Sequence, residues 1–170
     1  MPGLGGAGGW RIDGATAARE DGQAWTVSYQ IQVDESWATQ RVSVTSRAAG
    51  GSRETELRAG GAGYWLIDGE PAARLDGCLD VDLEASALTN AFPVHRLGLA
   101  VGGHAEAPAA YVRAPGLGVE RLEQRYERIA DEDGHARYRY AAPAFGFGCE
   151  LVYDAAGLVL EYPGIARRAG

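Results

Sequence analysis

The residues best suited to chemistry crowd into Asp76 to Arg96, which reads Asp-Gly-Cys-Leu-Asp-Val-Asp-Leu, then Thr89-Asn90, then Pro93-Val94-His95-Arg96. On a strand, Asp76, Asp80 and Asp82 share one face, with Asp80 and Asp82 about 7 Å apart along it. Close like charges raise the pKa of one carboxyl, as a general acid/base pair requires, and the same spacing suits a hard cation. His95 in front of Asp80 or Asp82 would complete a hydrolase-type site, with Ser86 or Cys78 as nucleophile. No Gly-x-Ser-x-Gly elbow, His-Glu-x-x-His, Walker loop or helix-opening Gly-x-Gly-x-x-Gly accompanies them, so each common enzyme signature fails. The competing reading is the outward face of a strand beside a turn, its charges paired with Arg74 or Arg96. His104 and His135 lie in Gly-flanked turns and are expected to be solvated.

Aromatic residues point to a different chemistry. Trp10, Trp25, Trp37 and Trp65 accompany eight Tyr and only three Phe, and Tyr and Trp join an apolar body to a polar handle. Such rings suit an amphipathic ligand held where a curved antiparallel sheet leaves its inner positions incompletely filled. The alternative is that they simply fill the core.

The elements that must position these residues read as strands. Trp25, Val27, Tyr29, Ile31 and Val33 alternate with Thr26, Ser28, Gln30 and Gln32, the period of a half-buried strand. Val42 and Val44 alternate with Arg41, Ser43 and Thr45, and Leu79, Val81 and Leu83 with Cys78, Asp80 and Asp82. Asp13-Gly14, Asp21-Gly22, Gly50-Gly51, Asp68-Gly69, Gly102-Gly103 and Asp133-Gly134 supply turns at hairpin spacing. Val119, Leu122, Tyr126 and Ile129 fall at helical spacing. The Asp133-Gly134 turn and the following Tyr138 and Tyr140 alternation nevertheless favour a two-stranded hairpin, its charges in Glu120 to Arg128 paired across strands. A weak repeat lays Glu56-Leu57 and Gly63 to Leu66 over Glu150-Leu151 and Gly157 to Leu160, and Tyr29 to Asp34 over Tyr126 to Asp131. It predicts two related β-halves.

Composition bounds the function. The 170 residues carry a net charge of −7, and every basic residue is Arg. An acidic chain lacks the footprint that phosphate-backbone binding needs, so nucleic acid is not an expected partner. No stretch is long and apolar enough for a membrane span, and the opening residues resemble no secretion signal, so cytoplasmic residence is expected. Cys78 and Cys149 stand far apart with no CxxC or ligand-spaced His, reading as buried free thiols rather than a disulfide or structural metal site. With 25 Gly and 7 Pro, turns should be many and long helices few. Residues 1–9 read as a flexible lead-in and 10–170 as one β domain.

Gly63-Tyr64-Trp65 with Asp68-Gly69, Leu75 to Leu83, Thr89-Asn90 and Pro93 to Leu97 together resemble the Putative glycolipid-binding family of bacterial proteins. Asp34-Glu35-Ser36-Trp37, Gln124 to Arg128, and Gly157-Leu158-Val159 with Tyr162-Pro163-Gly164 follow in the family's order, so the resemblance covers nearly all of the chain after Trp10. It implies a mainly β, antiparallel, strongly curved spiral β-roll, a half-open barrel of two duplicated halves, similar in shape to lipoprotein carriers that shelter acyl chains. The chain departs from the pattern at Ser86-Ala87, where Thr-Pro is usual, at Ala91, where Thr is common, and at His95, where Arg is common. The family brings no established catalytic residues, so none is assigned, and neither cofactor nor metal is expected. The expectation is a non-catalytic binder of a lipid or glycolipid. Trp25, Tyr29, Trp37, Trp65 and Leu79 would contact acyl chains, and Asp80, Asp82, Asn90, Arg96 and Gln124 would contact the headgroup. The rival readings are the hydrolase using Asp80, Asp82 and His95, and a protein-interaction module whose sheet edge or aromatic patch pairs with another chain, including a second copy in a homodimer.

Overall fold

A computed structural model describes residues 8–60 and 63–169. Strands dominate it, arranged in three open sheets with no barrel closure among the described residues. The first sheet is a six-stranded antiparallel meander of β1 (Gly9–Glu20), β2 (Gln23–Asp34), β3 (Thr39–Ala48), β4 (Gly51–Gly60), β5 (Tyr64–Ile67) and β6 (Glu70–Pro71). A small middle sheet holds β7 (Asp80–Leu83), β9 (Ala109–Val112) and β10 (Val119–Leu122). The last sheet, also six-stranded, runs β8 (His104–Glu106), β11 (Arg125–Glu132), β12 (His135–Ala142), β13 (Phe147–Tyr153), β14 (Val159–Tyr162) and β15 (Ala166–Arg167). One short helix, α1 (Ala91–Leu97), follows β7.

Turn chemistry explains the meanders. Asp21 and Gly22, Asp68 and Gly69, and Asp133 and Gly134 each place two consecutive residues at positive φ (48° and 79°, 51° and 87°, 52° and 76°). That is the type I′ geometry whose twist matches the flanking strands. The expected turn at Asp13-Gly14 is a correction, because β1 runs straight through it. Gly14 serves cross-strand packing instead: it pairs with Tyr29, and a Cβ there would stand 2.3 Å from that ring's Cζ. The Val119 to Ile129 spacing resolves into β10 and β11, and β11 pairs with β12 as the expected hairpin, with Glu127 opposite Arg139. The repeated segments lie on β4 with β5 and on β13 with β14, while Tyr29 and Tyr126 lie on β2 and β11.

The middle sheet is where the expected alternation fails. Leu79 precedes β7 and is exposed, Asp76 sits exposed in a turn, and all four residues of β7 are buried. Asp80 and Asp82 therefore do not face solvent, because β7 is covered on both faces. Its partner β9 is also wholly buried and runs parallel to it, an exception to the otherwise antiparallel pairing. Two cores meet across this layer. Val81, Leu83, Ala110 and Val112 join the first sheet's cluster with Trp25, Ile31, Leu57, Trp65 and Phe92. Tyr111 faces the other way, into the last sheet's cluster with Tyr126, Tyr140, Leu151, Tyr153 and Tyr162. The period-2 alternation of β7 thus sends its apolar residues to one core and its two carboxylates toward the other. Of the two free thiols, Cys78 is buried and Cys149 only partly so.

Candidate functional site

The carboxylates on β7 meet different partners. Asp80 is bidentately held by Arg96 from α1, Nε donating to Oδ1 at 3.1 Å and Nη2 to Oδ2 at 2.6 Å. The acid is 1% and the arginine 14% exposed. Burial pushes the Asp80 pKa up, and the Arg96 bonds oppose that rise. Among the described residues Asp82 has only neutral side-chain donors. Thr89 Oγ1 lies 2.9 Å from Asp82 Oδ1 and from Ser86 O, so one proton serves two acceptors, and Gln124 Nε2 donates to Oδ2. Without a cation, burial lifts the Asp82 pKa to about 6, with Asp80 and Glu84 adding repulsion.

The rest of this polar layer is supplied by tyrosines and Asn90. Gln124 Nε2 reaches Tyr140 Oη at 2.9 Å. Tyr126 Oη donates to Asn90 Oδ1 at 2.8 Å, and Tyr153 Oη donates to Asn90 O at 3.1 Å. Local sequence fixes the short segment that presents Thr89 and Asn90: Ser86 caps it by accepting from Leu88 N, and Gly98, at φ 52°, ends α1 in the left-handed conformation. Burial raises the pKa values of Tyr126, Tyr140 and Tyr153, so these hydroxyls stay protonated and remain donors.

Above this layer opens a cavity of about 330 Å³, within the range of small-ligand sites. Asp82, Glu84, Asn90 and Tyr140 form its polar part, and Tyr111, Leu122, Phe147 and Tyr162 stand among its walls. Phe145 and Ile165, also lining it, are 46% and 57% exposed. The rings brace one another: Tyr140 to Tyr162 is 5.8 Å, Phe147 to Tyr162 5.9 Å, and Tyr111 to Phe145 5.5 Å between centroids. A larger depression of about 480 Å³ on the outer face of the last sheet is lined by Arg125, Glu127, Arg139 and Glu150. Its charges are engaged in pairs with Glu106, Arg139, Glu127 and Arg137 respectively.

Of the ten residues expected to meet ligand, Asp82 and Asn90 line the cavity, and Gln124 supports it one hydrogen bond behind. Asp80 and Arg96 form the neighbouring buried pair. Trp25, Tyr29 and Trp65 are buried in the first core. Trp65 Nε1 donates to Cys78 O at 3.0 Å, and Tyr29 Oη lies 2.8 Å from Ser86 Oγ. Trp37 is stacked between Trp10 at 4.6 Å and His95 at 3.8 Å, and Leu79 is exposed elsewhere. His95 lies flat on Trp37 and against Gly157, its Nε2 without a hydrogen-bond partner among the described residues, and burial pushes its pKa down. Among the described residues no three His, Cys, Asp or Glu side chains gather to hold a metal ion, and no helix is long and apolar enough to cross a membrane. The wall residues Phe145, Phe147, Tyr162 and Ile165 were not among the residues expected to meet ligand, although Tyr162 belongs to a quoted family motif. Their signal was apolar side chains set among Pro143, Gly146, Gly148, Pro163 and Gly164, punctuation unlike that of a buried strand.

The chain is similar to a DUF1089 family protein from Pseudomonas aeruginosa of known crystal structure, at 32% identity and a TM-score of 0.82, over 99% of this chain and 97% of that one. No curated relative matches it. The family model described as Putative glycolipid-binding matches residues 5–168, in agreement with the quoted motifs, and the chain belongs to that family.

Proposed function

We propose that the protein is a non-catalytic carrier of an amphipathic lipid or glycolipid, held in the cavity between β7 and the last sheet. The observation carrying this reading is a cavity lined by two carboxylates, an amide, a phenol and aromatic rings, with the exposed apolar Phe145 and Ile165 among its lining residues. Sugar hydroxyls donate well to a carboxylate, and the C–H face of a sugar packs on aromatic rings, so the headgroup enters first. The alkyl chain then runs outward over Phe147, Phe145 and Ile165. This reverses the expected arrangement, in which the tryptophans of the first sheet would shelter the acyl chain. The matched segments on corresponding strands of the two six-stranded sheets support an origin by duplication.

Native mass spectrometry of gently purified protein, with organic extraction of the same sample, tests the carrier reading, alongside titration with octyl β-glucoside below its micellar concentration. The expected result is an extractable lipid adduct or saturable glucoside binding, weakened at least tenfold in Phe147→Ala. A clean apo mass together with no glucoside binding overturns it.

A further inference from the structure

The charge pattern of the cavity narrows the headgroup. Among the described residues the carboxylic acids lining it are Asp82 and Glu84, and no arginine or histidine lines it. Buried carboxylates in folded proteins are normally paired with a cation. Asp80, two residues earlier on the same face, follows that rule through Arg96. Asp82 does not: among the described residues its side-chain partners are Thr89 and Gln124, both neutral, and the chain contains no Lys. Glu84 adds negative charge, with one carboxylate oxygen accepting from Ala114 N at 2.7 Å. The walls reinforce this sign, since the faces of Tyr and Phe rings attract cations. Arg113 already exploits that attraction, its guanidinium 5.6 Å from the Tyr111 centroid and 5.8 Å from that of Phe145, while Glu120 holds it at 2.6 Å.

Building on the carrier reading, we propose that the headgroup carries a protonated amine beside its hydroxyls, as an amino sugar does, and that this ammonium pairs with Asp82 inside the aromatic walls. The ligand thereby supplies the cation that the fold withholds from Asp82 while giving one to Asp80. An anionic headgroup, such as a phosphate, would face two carboxylates with no compensating charge and is rejected. Because burial, with repulsion from Asp80 and Glu84, raises the Asp82 pKa to about 6, the pairing weakens as pH falls below that value and the carboxyl takes up a proton.

The test compares octyl 2-amino-2-deoxy-β-glucoside with octyl β-glucoside by calorimetric titration at about pH 7 and low salt. The amino form is expected to bind about tenfold more tightly, the step from a hydrogen bond with one charged partner to a hydrogen-bonded ion pair. That ratio is expected to collapse toward one in Asp82→Asn and to shrink for wild type in 0.5 M salt. Equal binding of the two glycosides by wild type overturns the amine assignment and leaves the carrier reading standing. Absence of binding by either overturns the amine assignment, and together with a clean apo mass it overturns the carrier reading as well. Should Asp82→Asn fail to fold, Glu84→Gln and the salt series decide, and a preference indifferent to both overturns the assignment.

Discussion

Asp82 makes a stability prediction that can be worked through from the structure. Asp82 is buried to 7% exposure, among the described residues its carboxyl is bonded by Thr89 and Gln124, and its pKa rises from 3.8 to about 6, burial being the largest cause. The folded state therefore holds this proton more tightly than the unfolded chain does. The stabilisation is complete below the unfolded pKa and is lost as pH rises through the interval from 3.8 to about 6. At 1.36 kcal/mol per pH unit the interval corresponds to about 3 kcal/mol, of which about 2 kcal/mol falls between roughly pH 4.5 and 7.5. Asp82→Asn keeps the shape and removes the titration. Urea unfolding of both proteins across that range should show wild type losing about 2 kcal/mol relative to the variant as pH rises. Other carboxylates titrate in both proteins, so the difference between the curves isolates Asp82. A difference that stays constant within about 0.5 kcal/mol refutes the reasoning, because it would mean that the buried carboxyl is solvated or already neutralised.

Arg96→Ala should cost about 3–5 kcal/mol, since it strands the buried Asp80 carboxylate. Thermal unfolding measures this, and adding Asp80→Asn should recover part of the loss. Gly14→Ala should cost roughly 1–3 kcal/mol by driving a methyl into the Tyr29 ring, and a double-mutant cycle with Tyr29→Ala should show strong non-additivity. Trp65→Ala should lower stability by about 3–5 kcal/mol through an internal void. It should leave octyl β-glucoside affinity nearly unchanged, because Trp65 belongs to the first core and the cavity to the second. Loss of binding by a folded Trp65→Ala protein, judged by circular dichroism, would move the site back to the first sheet.

The strands and most of their turns were legible in one dimension because their signals are local. Trp25 to Val33 alternates with the pleat, and Asp-Gly pairs can adopt two successive positive φ values, so β2 and the I′ hairpins follow from residue chemistry alone. Asp13-Gly14 carries the same dipeptide to a different end. What keeps that glycine is Tyr29, fifteen positions away, whose ring needs the space a side chain would fill. The short helix α1 was missed because only Pro93 near its start and Gly98 after its end punctuate a segment too brief to show a period.

By itself, the sequence determined a mainly β chain, most of its hairpin turns and its family motifs, and it singled out Asp80, Asp82, Asn90, Arg96 and Gln124 as candidate polar contacts. It could not tell that β7 is covered on both faces, because whether a strand's polar side meets water depends on sheets formed elsewhere in the chain. Only the tertiary structure divided the aromatics, placing Trp25, Tyr29 and Trp65 in one core while bringing Tyr111, Tyr140, Phe147 and Tyr162 around a cavity. It likewise gave a cation to Asp80 and none to Asp82. Burial and charge pairing are properties of neighbours in space, and here those neighbours come from β9, β12, β13 and β14, far along the chain from the residues they surround.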